Sequence, residues 1–226
     1  MRRVLLVLCL FAAMVTPLFS AGTTDSHEGR VGANATIEVK SDIPSIRIVT
    51  NSSENRVTAR FEGTGSDRFH FTTRETRDGF FVEVKRKRTL GVNLFAFRSP
   101  DLVISIPRNV KLGTLVVSSV SGSVTIEDAL HLRAIEIGTV SGSISVPTLS
   151  ADRQVTLESV SGAIRGAVVT APSITIGSVS GKIDIQELAA PGGRVSVETV
   201  SGSTSIGSLR TPKSEIQTVS GSTTIT

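Results

Sequence analysis

Few residues in this chain could do chemistry. The histidines are His27, His70 and His131, far apart in the sequence. General acid–base and nucleophilic catalysis both need groups that converge on one reacting atom. No HExxH pair, nucleophile elbow or phosphate-cradling glycine loop occurs. The serines of Gly142-Ser143-Ile144-Ser145 and Gly202-Ser203-Thr204-Ser205 have no base beside them. The sequence therefore assigns no catalytic residue, no cofactor-binding residue, no metal ligand and no cofactor, and the protein is not expected to be an enzyme.

A second kind of chemistry is contact. Lys85, Arg86, Lys87 and Arg88 run together and lead into an apolar stretch holding Phe95 and Phe97 and closed by Arg98. Consecutive cations beside exposed aromatics suit an anionic lipid or glycan. The same aromatics could instead fold back to cover the end of a core. Loop 85–98 is the candidate contact loop.

These residues must be positioned by something, and the second half of the chain says by what. Val-Ser-Gly recurs at valines 120, 140, 160, 179, 200 and 219, at intervals of 19 to 21 residues. A fixed period of that size marks one structural unit stacked on copies of itself. The residue three before each valine is apolar (Val117, Ile137, Leu157, Ile176, Val197, Ile216), and the one just before it is always Ser or Thr. Residues two and four after the glycine are mostly apolar again, as in Ile144 and Val146 or Ile183 and Ile185. This predicts two short strands per coil, each with one face inward. The valine falls out of phase, so the chain bends there, and the glycine supplies backbone freedom. Ser121-Gly122, Ser141-Gly142, Ser161-Gly162, Ser180-Gly181, Ser201-Gly202 and Ser220-Gly221 are thus structural corners. Their hydroxylated neighbours are expected to hydrogen-bond between coils and to satisfy backbone groups at the bend. Six coils at about 4.8 Å each make a rod of about 29 Å.

Residues 35–110 alternate without a strict repeat, as in Thr36-Ile37-Glu38-Val39-Lys40 and Phe80-Phe81-Val82-Glu83-Val84-Lys85. The fold class read from these patterns is all-β: a single-domain parallel β-solenoid, β-helix-like, with coils of about 20 residues. A strand-rich N-terminal part (35–110) starts or caps the stack, and the array follows over 111–226. Residues 22–34, mostly small or polar, are expected to be a flexible lead-in.

Residues 1–21 have the layout of a secretory signal peptide, with Arg2 and Arg3 before an apolar run and small residues at its end. That run is too short for a comfortable membrane span, so no span is expected after cleavage. Cys9, the sole cysteine, lies inside it, which leaves an exported chain without disulfides. Residues 30–110 carry 14 basic and 9 acidic side chains and residues 111–226 carry 8 and 9. That footprint is too sparse for nucleic acid. On the array, Arg165 and Asp184 fall at equivalent outward positions of adjacent coils, as a surface ion pair or a contact for a sugar or carboxylate.

The six Ser/Thr-Val-Ser-Gly corners, with Leu102-Val103-Ile104-Ser105-Ile106-Pro107 ahead of them, closely resemble the bacterial DUF4097 family of β-strand-repeat proteins, candidate adhesins. The resemblance implies an envelope-associated protein. The expected function is an exported, non-enzymatic interaction surface or scaffold of the bacterial cell envelope, periplasmic or on the cell surface. The alternative is a module binding envelope glycan or lipid through loop 85–98; a polysaccharide-active enzyme is the weaker reading. Expected partners are a protein or an envelope glycan or lipid, and end-to-end self-association through the last strand.

Overall fold

A computed structural model describes residues 24–42, 44–53, 55–87 and 100–226. Before the repeats lie β1 (Thr24–Arg30), β2 (Thr36–Ser41), β3 (Ser45–Asn51), β4 (Arg56–Glu62), β5 (Phe69–Thr76), β6 (Gly79–Arg86) and β7 (Asp101–Pro107). The first copies supply β8 (Thr114–Ser119), β9 (Val124–Ile126), β10 (Leu130–Thr139) and β11 (Ile144–Ser159). Next come β12 (Ile164–Thr170), β13 (Ser173–Ser178), β14 (Ile183–Ala189) and β15 (Arg194–Thr199). The last are β16 (Thr204–Arg210), β17 (Lys213–Thr218) and β18 (Thr223–Ile225). The one helical turn among the described residues is a 3-10 turn at Ser66–Arg68.

The alternating pattern builds a parallel β-solenoid with coils of about 20 residues. Strands preceding the corners form one parallel ladder: β6, β2, β8, β10, the second half of β11, β13, β15 and β17. Strands following the corners form another: β7, β3, β9, the first half of β11, β12, β14, β16 and β18. Identical register puts apolar residue over apolar residue, so Val117, Ile137, Leu157, Ile176 and Val197 stack, all buried. The inward rows of both ladders share one core, which no single coil could close alone. Coils of the array also have a third short laddered run beyond the two strands expected: Thr148, Leu149 and Ser150 lie beside Val168, Val169 and Thr170 and then Glu187, Leu188 and Ala189. Leu149, Val169 and Leu188 are fully buried there, which draws the chain inward a third time.

Stack order departs from chain order at one place. The coil of β2 and β3, first in the sequence, sits between the coil of β6 and β7 and that of β8 and β9. The N-terminal part therefore contributes two more parallel coils and also closes the end. β5 lies antiparallel on β6, and β4 lies antiparallel on β7. Aromatics fill this wider end: Phe61 is buried, with Phe69 and Phe71 at 5.8 and 5.6 Å from its ring centre. Residues 24–30 depart from the flexible lead-in expected of them. They form β1, antiparallel to β4 from Thr24↔Glu62 to Arg30↔Arg56, because β4 offers an unpaired edge that backbone hydrogen bonds satisfy whatever the side chains.

A side-chain clamp holds the out-of-order coil. Asp128 follows β9, Thr50 lies in β3 and Arg108 follows β7, so the three come from three stacked coils. The Thr50 amide and hydroxyl donate to Asp128 Oδ2 at 2.7 and 2.8 Å. Arg108 reaches Asp128 Oδ1 at 3.3 Å and also donates to the Thr50 hydroxyl. The Thr50 amide and hydroxyl bonds, with Arg108 adding its charge, hold the Asp128 carboxyl below the ordinary aspartate range.

The corners differ from expectation in two respects. Their hydroxyls satisfy backbone groups at the bend, as expected, but within a coil rather than between coils: the amides of Gly142, Gly162 and Gly181 donate to the side-chain oxygens of Thr139, Ser159 and Ser178 at 2.8 to 3.0 Å. The reach to a residue three ahead closes the bend locally, and the coil-to-coil bonds are left to the backbone. Secondly, the glycines answer to crowding rather than to backbone freedom. Gly142, Gly162, Gly181 and Gly202 are absent from the positive-φ residues. A Cβ on any of them would sit 1.8 to 2.0 Å from the carbonyl oxygen of the glycine one coil back.

Two outcomes follow from this packing. Gly162→Ala should lower unfolding stability by about 1–3 kcal/mol, as overpacking does, while Gly138→Ala, where an added Cβ meets nothing within 4 Å, should leave the denaturation midpoint nearly unchanged. Asp128→Ala should lower the melting temperature at neutral pH. Because the folded carboxyl titrates below its unfolded value, that stabilisation is complete above pH ~4 and disappears as pH falls through the folded value. Wild-type and variant melting curves should therefore converge in acid.

Candidate functional site

The solenoid forms a long concavity along the corners themselves. In the strand before each corner, the residue two ahead of the motif valine faces outward by ordinary alternation. The bend then turns the valine outward as well. Two outward rows result, side by side. One is Val120, Val140, Val160, Val179, Val200 and Val219; the other is Ser118, Gly138, Glu158, Gly177, Glu198 and Gln217. The backbone ladder continues through the bend and fixes the valine spacing. Amides of Val140, Val160, Val179, Val200 and Val219 donate to the carbonyls of the hydroxylated residues one coil back at 3.1 to 3.2 Å.

These valines are 43 to 49 % exposed, and Val219 is 81 % exposed. Apart from Ile225 they are the only exposed large hydrophobic residues among those described. Beside them Gly138 and Gly177 carry no side chain and open a trough of about 730 Å³ that runs the length of the array. Contiguous exposed apolar surface on a soluble domain marks a contact site far more often than scattered single residues do. The glutamates at 158 and 198 form the polar edge of the trough.

Charge bounds the apolar row at its N-terminal end. Asp42 occupies the place of a motif valine in the coil of β2 and β3, with the Ser121 amide donating to its carbonyl at 3.0 Å. Lys85 takes the same place one coil further out, since Val84 pairs in register with Ser41. Its ammonium meets Glu83 at 2.8 Å, and that hydrogen bond and charge hold its pKa above the usual lysine value.

Of the contact loop expected from sequence, Lys85 and Arg86 are exposed at the end of β6. The Lys87 ammonium donates to the Asp67 carbonyl at 2.7 Å, which ties the basic run to the 3-10 turn. Arg88, Phe95, Phe97 and Arg98 lie outside the described residues, as do residues 1–21. In the corners, every motif serine faces solvent, and Gly122, Gly142, Gly162, Gly181 and Gly202 are buried. Arg165 and Asp184 are register neighbours on adjacent coils, yet the Asp184 carboxylate pairs with Lys182 at 2.7 Å rather than with Arg165. The lysine wins because it lies on the same strand face two residues away.

One grouping was not apparent from the sequence. His131 Nδ1 lies 2.7 Å from Ser150 Oγ, and Nε2 lies 3.2 Å from Asp152. The residue types are those of a hydrolytic triad, but His131 and Asp152 are both 64 % exposed and neither lines the trough. Triad chemistry depends on oxyanion donors in a water-excluded site, and water surrounds this trio. His27 instead stacks edge-on against Phe71, with ring centres 5.1 Å apart. Among the described residues no three His, Cys, Asp or Glu side chains gather as a metal site requires, and no helix is long and apolar enough to cross a membrane.

A parallel solenoid with a repeated Ser/Thr-Val-Ser-Gly corner, one coil inserted out of order and antiparallel strands at one end defines the class. The chain belongs to the Toastrack DUF4097 family, whose sequence profile matches residues 34–226. A solved structure of a candidate adhesin from Bacteroides fragilis shares the fold, with a TM-score of 0.53 at 14 % identity over 90 % of this chain and 96 % of that one. A candidate adhesin from Parabacteroides distasonis gives a TM-score of 0.46 at 13 % identity over 91 % and 98 % of the two chains. A candidate lipid-binding protein from the same organism gives 0.38 at 13 % identity over 89 % and 96 %. No curated protein matches the sequence.

Proposed function

We propose that this protein is an exported, non-enzymatic β-solenoid that serves as an adhesin-like or scaffolding surface of the bacterial cell envelope, and that the valine ladder is its contact face. The observation that carries the reading is the concentration, among the described residues, of nearly all exposed large hydrophobic side chains in one line beside an open trough. Membership of a family with structurally similar candidate adhesins supports the general role. The layout of residues 1–21 supports export. A surface of this kind works by burying apolar area against a partner and needs no converging acid and base.

Val160→Lys with Val179→Lys tests the proposal directly. Both side chains are exposed, so the melting temperature should stay within a few degrees of wild type. Retention of the labelled protein on envelope preparations of its host should fall at least tenfold. Unchanged retention at unchanged stability would remove the ladder from the function. Protease treatment of intact host cells, followed by detection of the chain, reports which side of the envelope it faces.

A second reading places contact with anionic lipid or glycan on loop 85–98. It is favoured by the position of Lys85 and Arg86, exposed at the coil corner from which that loop departs. Phe95→Ser with Phe97→Ser should then abolish flotation with anionic liposomes or binding to cell-wall material while leaving thermal stability intact. A drop in stability with binding retained would assign the two aromatics to the end cap instead.

A further inference from the structure

We infer that the occupant of the valine trough is a second copy of this chain, its ladder lying on the first with the two stacks running in opposite directions about a two-fold axis. The inference rests on the reading of the ladder as a contact face and names its partner. Three observations lead to it.

The first is the row beside the valines, which in stack order reads Ser118, Gly138, Glu158, Gly177, Glu198, Gln217. Laid against its own reverse, it sets Gly138 opposite Glu198 of the second copy and Glu158 opposite Gly177 of the second copy. Each long side chain thus meets a position with none, four times over the two-fold. The space is present: a Cβ on Gly138 would meet nothing within 4 Å, and one on Gly177 would meet only Glu158 Cγ, at 3.8 Å. A parallel pairing would instead set glutamate on glutamate and glycine on glycine, leaving like charges and voids.

The second is register. With all six valines paired, large faces small throughout. A slide of one coil in either direction leaves a valine unpaired and brings glutamate opposite glutamate. A slide of two coils toward the N-terminal end lays Val200 and Val219 of one copy on Asp42 and Lys85 of the other. The charged residues that replace valine in the first two coils therefore act as stops.

The third is shape. The N-terminal antiparallel strands lie beyond the array at one end of each stack. In the antiparallel arrangement they project past opposite ends of the pair and do not collide. Isologous two-fold pairing of this kind closes on itself and gives a dimer rather than a filament. A narrow strip that runs about 24 Å from the first valine to the sixth buries less than the roughly 1,200 Å² of a standard stable interface, so the dimer is weak and concentration-dependent.

The test uses the full chain with Cys9→Ser, which removes the sole cysteine. Ser118→Cys and Gln217→Cys are then introduced together. Within one copy they lie five coils apart, about 24 Å, whereas a disulfide needs Cα atoms within about 7 Å. Any bond formed is therefore between copies. Mild oxidation should give a covalent dimer on non-reducing gels, and adding Val160→Lys and Val179→Lys should reduce its yield at least tenfold. Sedimentation equilibrium of the cysteine-free protein should show reversible dimerisation. Glu158→Gln with Glu198→Gln should tighten it severalfold, because the four carboxylates fall on successive levels near the two-fold axis and repel.

A sedimentation profile that stays monomeric to about 1 mM, the upper end of weak association, would overturn the inference. So would a covalent yield indifferent to the lysine substitutions, or efficient bonding of Ser118→Cys to Gly177→Cys in place of Gln217→Cys. If the protein is monomeric yet the lysine variant still loses envelope retention, the second copy is excluded while the ladder remains a contact face for another partner.

Discussion

The close approach of stacked corners governs this molecule. Parallel strands repeat about every 4.8 Å along the stack, and at the bend the carbonyl of one glycine points at the place where the next glycine would carry a Cβ. Only a residue without a side chain satisfies that distance, so the inner side of the corner is fixed as glycine at Gly142, Gly162, Gly181, Gly202 and Gly221. The hydroxyl three residues earlier then takes up the glycine amide in three of the six copies, and the core begins on either side of it. With the inside of the bend closed to side chains, those of the valine and serine can only go outward. The exposed ladder is a geometric result of what the interior refuses to hold.

Much of the fold was legible because the repeat registers its own constraints. Apolar residues three before the valine and two after the glycine identify inward positions without any alignment, and the register observed is the one that stacking copies implies. The outward ladder was also present in the sequence in principle. A residue that is apolar in all six copies, out of phase with the buried set and followed by a polar one, has to emerge at the surface. The phase shift marks a bend, and a bend at that point turns the valine outward. The trough needed one more fact, that Gly138 and Gly177 alternate with Glu158 and Glu198 in the neighbouring row. Alternation across coils shows only when every copy is aligned at that one position.

Other features could not be read from local pattern. The insertion of the coil of β2 and β3 between two later coils leaves no trace in periodicity, because its strands alternate like any others. Ser41 does carry a clue: it precedes a bend at Pro44 and donates to that residue's carbonyl as Ser119 does to Gly122. Residues 24–30 have the composition of a loop and become a strand only because β4 presents an edge. The meeting of His131 with Ser150 and Asp152 depends on stacking across coils, which brings together residues that sequence distance keeps apart. Arg165 and Asp184 show the converse. Register made them neighbours, and a lysine just ahead of the strand of Asp184 took the carboxylate.

The displaced coil has a consequence for assembly in time. A chain that emerges N-terminus first presents β2 and β3 well before either of the coils that flank them. Those two strands have no parallel neighbour until β6 to β9 have followed, so their ordering is deferred by the topology. The later coils each need only the one before, and they can add in sequence by short-range steps. Contacts between distant segments form slowly, so the topology sets closure of the N-terminal end behind the short-range addition of the array coils. The first coil in the sequence has its neighbours on both sides supplied by later chain.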